Sequence, residues 1–186
     1  MTNDTSASRQ PRFRWWHALG IFATANAISV IPAGLQGDFR FYNEFKRPKV
    51  APPDWLFAPM WLCLNIASLV ALSRVANDPR QTRTHQNVYV LEGGAWVLFA
   101  AFNSLYFGLK SPVLGAADTA AGLAVGLGSL AACTRVDRQA ALLILPRVLW
   151  LVLATYVSVW VARNNPDAFL SRRRPETEQA GQGKKW

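Results

Sequence analysis

Two charged residues inside apolar segments, Glu92 and Arg147, are the side chains most suited to chemistry in this sequence. A charge within a membrane-spanning segment is expensive and usually faces a bundle interior or a cavity. Both segments start from the same side, and at about 1.5 Å per residue the two charges lie within roughly one helical turn in depth. We therefore predict an ion pair between Glu92 and Arg147. The alternative is that each side chain reaches water at the interface on its own.

A run of prolines and aromatic residues leads into the second apolar segment. Its members are Pro52, Pro53, Trp55, Phe57, Pro59 and Trp61. Pro52 and Pro53 lack backbone donors and have a fixed φ, so they suit a stiff lead into a helix. Trp55 and Trp61 do not share one helix face, so we expect one to point into the bundle and the other to the interface. An aromatic belt at headgroup level is the alternative.

The other residue types that carry chemistry give weaker signals. Cys63 and Cys133 lie in apolar segments without metal or redox spacing, which predicts buried free thiols. His17 and His85 are isolated near segment ends, so we expect surface positions and no metal site. Asp118, in the second turn of the fourth segment, is a second candidate for a charge inside the membrane, and the alternative is that it only complements the helix dipole.

Long apolar segments are the elements that must position these residues. The chain has 186 residues and is 51% hydrophobic, with its charges collected at the ends and in short gaps. Helices that cross the hydrocarbon need about 20 apolar residues, and continuous apolar runs favour helices over barrel strands. We predict an all-α integral membrane bundle of five transmembrane helices. The predicted spans are residues 15–35, 55–75, 88–109, 113–133 and 140–162. Gly122 and Gly126 form a Gly-x-x-x-Gly pattern that permits close helix packing.

The domain organisation follows from these segments. We predict a polar N-terminal tail at 1–14, a transmembrane domain at 15–165 and a basic polar C-terminal tail at 166–186. The net charge of +9 is placed around the apolar segments, where it meets lipid headgroups, and no basic face suggests nucleic-acid binding. A cleaved signal peptide is the alternative for the first segment. A small excess of Lys and Arg on the side of the C-terminal tail predicts that this tail is cytoplasmic.

The segment 48–61 resembles the signature of the TspO/MBR family, in which a Pro-Pro pair is followed by Trp, Phe, Pro and Trp at fixed offsets. Residues 103–110 resemble the aromatic-Gly end of the family's third helix. Residues 145–150 resemble the Pro-Tyr-Leu-x-Trp segment of its fifth helix. The resemblance extends over roughly residues 15–165.

This resemblance implies a membrane receptor or transporter-like protein, often a homodimer, in the bacterial inner membrane. Such a protein binds porphyrin, haem or other flat hydrophobic ligands between its helices, without an obligatory cofactor and without catalysing a reaction. The implied pocket residues are Trp55, Phe57, Trp61, Phe99 and Trp150, with the motif prolines Pro52, Pro53 and Pro59. Arg147 would meet a propionate carboxylate if Glu92 does not hold it. The alternatives are an enzyme of light-dependent porphyrin breakdown and a structural membrane protein with a decayed pocket.

The sequence departs from the family pattern at several positions of the expected pocket. These positions are Lys49, Val50, Asn65, Ala95, Trp96, Phe99, Phe102, Arg147, Val157 and Ser158. The family carries Trp where Lys49 and Val50 stand, and this loss argues against the enzyme. The departures weaken the ligand expectation more than the fold expectation.

Overall fold

The computed structural model of the chain describes residues 12–36 and 44–172. Within these residues, all regular secondary structure is helical. The helices are α1 (Trp15–Gln36), α2 (Phe57–Asn77), α3 (Arg83–Asn103), α4 (Pro112–Val136), α5 (Arg138–Asn164) and the short α6 (Ala168–Arg172). A 3-10 turn at Asp54–Leu56 leads into α2, and a π-helical turn at Ser104–Gly108 ends α3. Most of the two predicted tails lies outside the described residues, although α6 falls within the predicted C-terminal one.

Four helical segments are long and apolar enough to cross a bilayer. They are Asp54–Asn77, Arg83–Gly108, Pro112–Val136 and Arg138–Ser171. Their outward sides are apolar, as on α2, where Leu62, Ile66 and Val70 recur every helical turn and are all exposed. A stripe of this kind marks an interaction surface in a protein exposed to water, whereas lipid tails cover it in a membrane. The chain is an integral membrane protein.

Contacts at the two ends of the bundle fix the direction of α1 and α5. The backbone N–H of Phe13, just before α1, donates to Oδ1 of Asn77 at the end of α2 at 2.9 Å. The backbone N–H of Lys46, in the connection after α1, donates to Oδ1 of Asn165 after α5 at 2.8 Å. The helix α1 therefore runs the length of the bundle. We call the end near Asn77 the closed end and the end near Asn165 the cavity end.

Small residues let α4 pack closely against α5. A Cβ added to Gly126 would lie 3.5 Å from both Val148 and Leu151, and one added to Gly122 would lie 3.6 Å from Leu151. These are ordinary van der Waals distances, so both glycines face α5 directly. The packing role predicted for the Gly-x-x-x-Gly pattern is confirmed, and it lies within the bundle.

The start of α3 differs from the prediction because a polar cap extends the helix. It begins at Arg83 instead of Val88. Thr82 and His85 form a reciprocal cap, in which the Thr82 hydroxyl and the His85 Nδ1 are 2.8 Å apart. This cap satisfies backbone donors of the first turn. His85 is only 3% exposed, so its predicted surface position was wrong, whereas His17 is exposed.

The most tightly packed core lies at the closed end. Val75, Cys133 and Ile144 are fully buried there, one from each of α2, α4 and α5. Cys133 is thus the buried thiol that the sequence predicts. Cys63 is exposed, so the same prediction was wrong for it. Its position beside the outward-facing Leu62 explains the difference, because an apolar segment in a membrane has one side against lipid.

Candidate functional site

Four helices meet at a buried polar cluster around Glu92 of α3. Arg147 of α5 donates from Nη1 to Oε2 at 2.9 Å and from Nη2 to Oε1 at 2.5 Å. Ser68 of α2 donates to Oε2 at 2.6 Å, and Ser129 of α4 donates to Oε1. Each carboxylate oxygen of Glu92 therefore accepts two hydrogen bonds. The cluster links α2, α3, α4 and α5 in the middle of the bundle.

The burial of this cluster decides between the two sequence-based interpretations. Glu92 is 1% exposed and Arg147 is 5% exposed, so neither charge reaches the interface by itself. A buried charge is tolerated when it is paired and its remaining hydrogen-bonding capacity is satisfied. Because Glu92 holds both terminal nitrogens of Arg147, this guanidinium is not free to form a bidentate pair with a ligand carboxylate.

Between this cluster and the cavity end, the helices enclose a cavity of about 560 Å³. All five long helices contribute to its wall, which is mostly apolar. Five of the six predicted ligand-binding residues line it: Phe57, Trp61, Phe99, Arg147 and Trp150. The four aromatic rings form two pairs, Phe57 with Trp150 and Trp61 with Phe99. The ring centroids lie 5.4 Å apart in each pair. Edge-to-face and tilted pairs at this spacing are favourable.

The structure separates the two tryptophans of the proline-rich motif. Trp55 lies in the 3-10 turn before α2, is 72% exposed and does not line the cavity. The structure therefore does not place Trp55 in the pocket, where the family resemblance implies it. Trp61, about one turn into α2, does line the cavity. Pro52 also lines the cavity, whereas Pro53 precedes the 3-10 turn and Pro59 lies exposed in the first turn of α2.

The cavity mouth carries a pair of charged residues. Nη1 of Arg47 lies 2.5 Å from Oδ1 of Asp54, and both residues line the cavity. Asp54 opens the 3-10 turn that leads into α2, so the ion pair connects the loop before α2 to this turn. The mouth is thereby polar, while the wall below it is aromatic.

Two lining residues matter more in the structure than in the sequence interpretation. Trp96 of α3 counts in the sequence only as a departure from the family pattern, yet it is buried in the wall and its ring contacts Phe99, with centroids 5.7 Å apart. Asp118 is only 8% exposed and lines the cavity, so its carboxyl group is a charge inside the bundle and does more than complement the dipole of α4. In the sequence, the signal for this position is a single carboxylate in the second turn of an otherwise apolar helix.

Four buried polar atoms of the wall have no hydrogen-bond partner among the described residues. They are Nε1 of Trp96, Nε1 of Trp150, Nε of Arg147 and Oδ1 of Asp118. Buried polar atoms are nearly always paired in folded proteins, and each unpaired one costs about 1–3 kcal/mol. Three of the four are donors and one is an acceptor. All four belong to residues that line the same cavity.

Comparison with known proteins gives one family and several relatives. The family model described as TspO/MBR family matches residues 17–163. The tryptophan-rich protein TspO of Chlorobaculum tepidum is 29% identical over 126 residues, which are 68% of this chain and 80% of that protein. Protein CrtK of Rhodobacter capsulatus is 28% identical over 134 residues, covering 68% of this chain and 79% of that protein. The tryptophan-rich protein TspO of Archaeoglobus fulgidus is 27% identical over 145 residues, covering 70% and 88%.

Proposed function

The chain belongs to the TspO/MBR family, and from this premise we propose a membrane receptor or transporter-like protein that binds a flat hydrophobic ligand of the porphyrin type. The aromatic cavity is the observation that carries this proposal. Its volume of about 560 Å³ lies within the range of about 300–1,000 Å³ typical of small-molecule sites. The ring pairs Phe57–Trp150 and Trp61–Phe99 offer faces and edges on which a flat conjugated ligand stacks.

The proposal includes α1 as a fifth transmembrane helix. Its 22 residues reach about 33 Å, which is enough for the hydrocarbon core. Ala25 and Ser29 are buried on its inner side, and Ser29 accepts a hydrogen bond from Asn103 of α3 at 2.8 Å. Leu19 and Ile28 are exposed on its outer side. This division into a packed side and an apolar outer side supports a helix that faces lipid.

The membrane and the assembly follow the same premise. We place the protein in the bacterial inner membrane with a cytoplasmic C-terminus, which the charge bias of the loops supports. A homodimer is the assembly that family membership suggests. The Gly122 and Gly126 pattern already serves the contact with α5, so such a dimer uses another face of the bundle.

Titration of the purified protein with protoporphyrin in detergent tests the proposal. We expect tryptophan fluorescence to be quenched and to saturate. Trp61→Leu removes a cavity ring and is expected to weaken binding about tenfold, since the lost stacking and burial amount to about 1.4 kcal/mol. Trp55→Leu is the matched control, because Trp55 belongs to the same motif but is exposed outside the cavity. This variant is expected to bind within about twofold of the unchanged protein.

Other outcomes assign other functions. Quenching that does not saturate, or equal losses in the two variants, contradicts the proposed site. A light-dependent fall in porphyrin absorbance with a new product indicates the enzyme; none of the three relatives has a name that denotes one. If the protein shows no binding and forms no product, it is a structural membrane protein with a decayed pocket.

A further inference from the structure

The charges around the cavity do not cancel. Among the described lining residues, Arg47, Asp54, Asp118 and Arg147 carry formal charges. Arg47 pairs with Asp54 at the mouth, and the charge of Arg147 is balanced by Glu92. Asp118 has no ion-pair partner among the described residues, and its Oδ1 accepts no hydrogen bond there. The wall thus holds one carboxyl group whose charge nothing in the described chain offsets.

The packing of α4 against α5 places this carboxyl group away from the polar cluster. The hydroxyl of Thr155 donates to the backbone carbonyl of Thr119 at 3.2 Å, so Asp118 lies near the level of Thr155. Arg147 is two helical turns back along α5, which corresponds to about 12 Å toward the closed end. Arg147 and Asp118 therefore lie at different depths in the cavity wall and form no ion pair with each other.

Two of the unpaired atoms lie at different depths in the cavity. The donor Nε of Arg147 belongs to the deep part, because the same side chain is bonded to the Glu92 cluster. The acceptor Oδ1 of Asp118 belongs to the part nearer the mouth. An aromatic ligand that fills the deep part has its outer edge next to Asp118.

We propose that Asp118 binds a protonated amine on the outer edge of the ligand, so that a cationic substituent at this one position is preferred over a carboxylate there, whatever groups the ligand carries elsewhere. An isolated carboxylate in an apolar wall is unfavourable, and a cationic N–H donor offsets this with a charge-assisted hydrogen bond. A ligand carboxylate at the same place meets a like charge. The inference rests on the proposed function, because it takes the cavity to be the ligand site and adds which ligands it prefers.

Three probes that share one ring system test this preference. They are anthracenylmethylamine, anthracenemethanol and anthracene carboxylate, which differ in the charge of a single substituent. Binding is followed by energy transfer from tryptophan to anthracene, with the protein in detergent. The amine is expected to bind at least about tenfold more tightly than the carboxylate, as hydrogen bonds to charged groups contribute enough for such a ratio.

Asp118→Asn keeps the shape of the side chain and removes its charge. This variant is expected to lose the preference for the amine, while anthracenemethanol binds within about twofold of the unchanged protein, which also shows that the cavity is intact. Asp78→Asn is the matched control: it is the same substitution in the connection between α2 and α3, away from the cavity. It is expected to keep the preference in full.

The outcomes separate this inference from the proposed function. Equal affinity for amine and carboxylate in the unchanged protein overturns the role of Asp118, and so does an amine affinity that Asp118→Asn leaves unaltered. In either case, saturable protoporphyrin binding leaves the proposed function in place. If neither the probes nor protoporphyrin bind, both proposals fall. If the Asp118→Asn variant does not fold, the ranking of the three probes on the unchanged protein still decides.

Discussion

The closed end and the cavity end of the bundle are built from the same helices, but one is a packed core and the other encloses a cavity. At the closed end, side chains such as Val75 and Ile144 are fully buried against one another. At the cavity end, the same helices enclose about 560 Å³. The two ends also differ in their polar atoms. The Glu92 carboxylate accepts four hydrogen bonds, whereas Oδ1 of Asp118 accepts none from the described residues.

Arg147 marks the boundary between the two ends. Its terminal nitrogens belong to the saturated cluster, while its Nε has no partner among the described residues and its side chain lines the cavity. Among the described residues, one buried side-chain polar atom without a hydrogen-bond partner lies at the closed end, Nε2 of His85, whereas four belong to residues of the cavity wall. Binding sites are where local rules of packing and hydrogen bonding are broken, and the surrounding structure supplies the stability that they lack. In the proposed function, the closed end stabilises the bundle and the cavity end holds the ligand.

Removing one charge of the central pair is the strongest test of this division. Glu92→Leu or Arg147→Met leaves the other charge buried without a partner, and we expect each to lower the free energy of unfolding by about 3–5 kcal/mol. The double variant is expected to lose less than either single one, because no isolated charge remains. Unfolding by denaturant in detergent measures all three.

Simple additivity of the two losses would contradict a coupled ion pair. The double variant also probes the boundary itself. If the cluster serves stability alone, the double variant that still folds binds protoporphyrin with an affinity close to that of the unchanged protein. A large loss of binding in a folded double variant would instead show that the cluster belongs to the ligand site.

Truncating aliphatic side chains compares the two ends directly. Ile144 is fully buried in the core of the closed end, whereas Leu153, on the same helix, lines the cavity. Ile144→Ala removes packing contacts on all sides and is expected to cost about 2–5 kcal/mol. Leu153→Ala enlarges an existing cavity, so fewer contacts are lost and we expect less than about 1 kcal/mol. The unfolding midpoint of each variant in detergent gives the comparison.

The contrast disappears if both variants lose the same stability, which would mean that the cavity end is packed as tightly as the closed end. For binding, the expected order is the reverse. Leu153→Ala changes the affinity for protoporphyrin because it alters the cavity wall, and Ile144→Ala leaves the affinity of the folded protein unchanged.

How much the sequence predicts also differs between the two ends. Charges in apolar segments are rare and must be compensated, so Glu92 and Arg147 identify each other without a structure. The pocket residues carry no such signal. Trp55 and Trp61 are both aromatic residues of one motif, and only the position where α2 begins, at Phe57, turns one outward and the other inward. Asp118 lies close enough to the start of α4 to complement the helix dipole, and its burial follows from the neighbouring helices, which a single sequence does not give.

The smallest expected effect lies in the connection at the outer edge of the closed end. Hydrogen bonds from the side chain and the backbone of Arg80 lower the pKa of Asp78 from 3.8 to about 2. Because the pKa is lower in the folded protein, the ionised form of Asp78 contributes stability above its unfolded pKa, and this contribution is lost as the pH falls from 3.8 to about 2. Asp78→Asn removes this dependence. The difference in unfolding midpoint between the unchanged protein and this variant is therefore expected to be constant above about pH 4 and to vanish near about pH 2.

A difference that stays constant down to about pH 2 would show that Arg80 does not hold Asp78 in solution. The stability of the closed end would then come from its buried core and the Glu92 cluster, without a contribution from this surface contact.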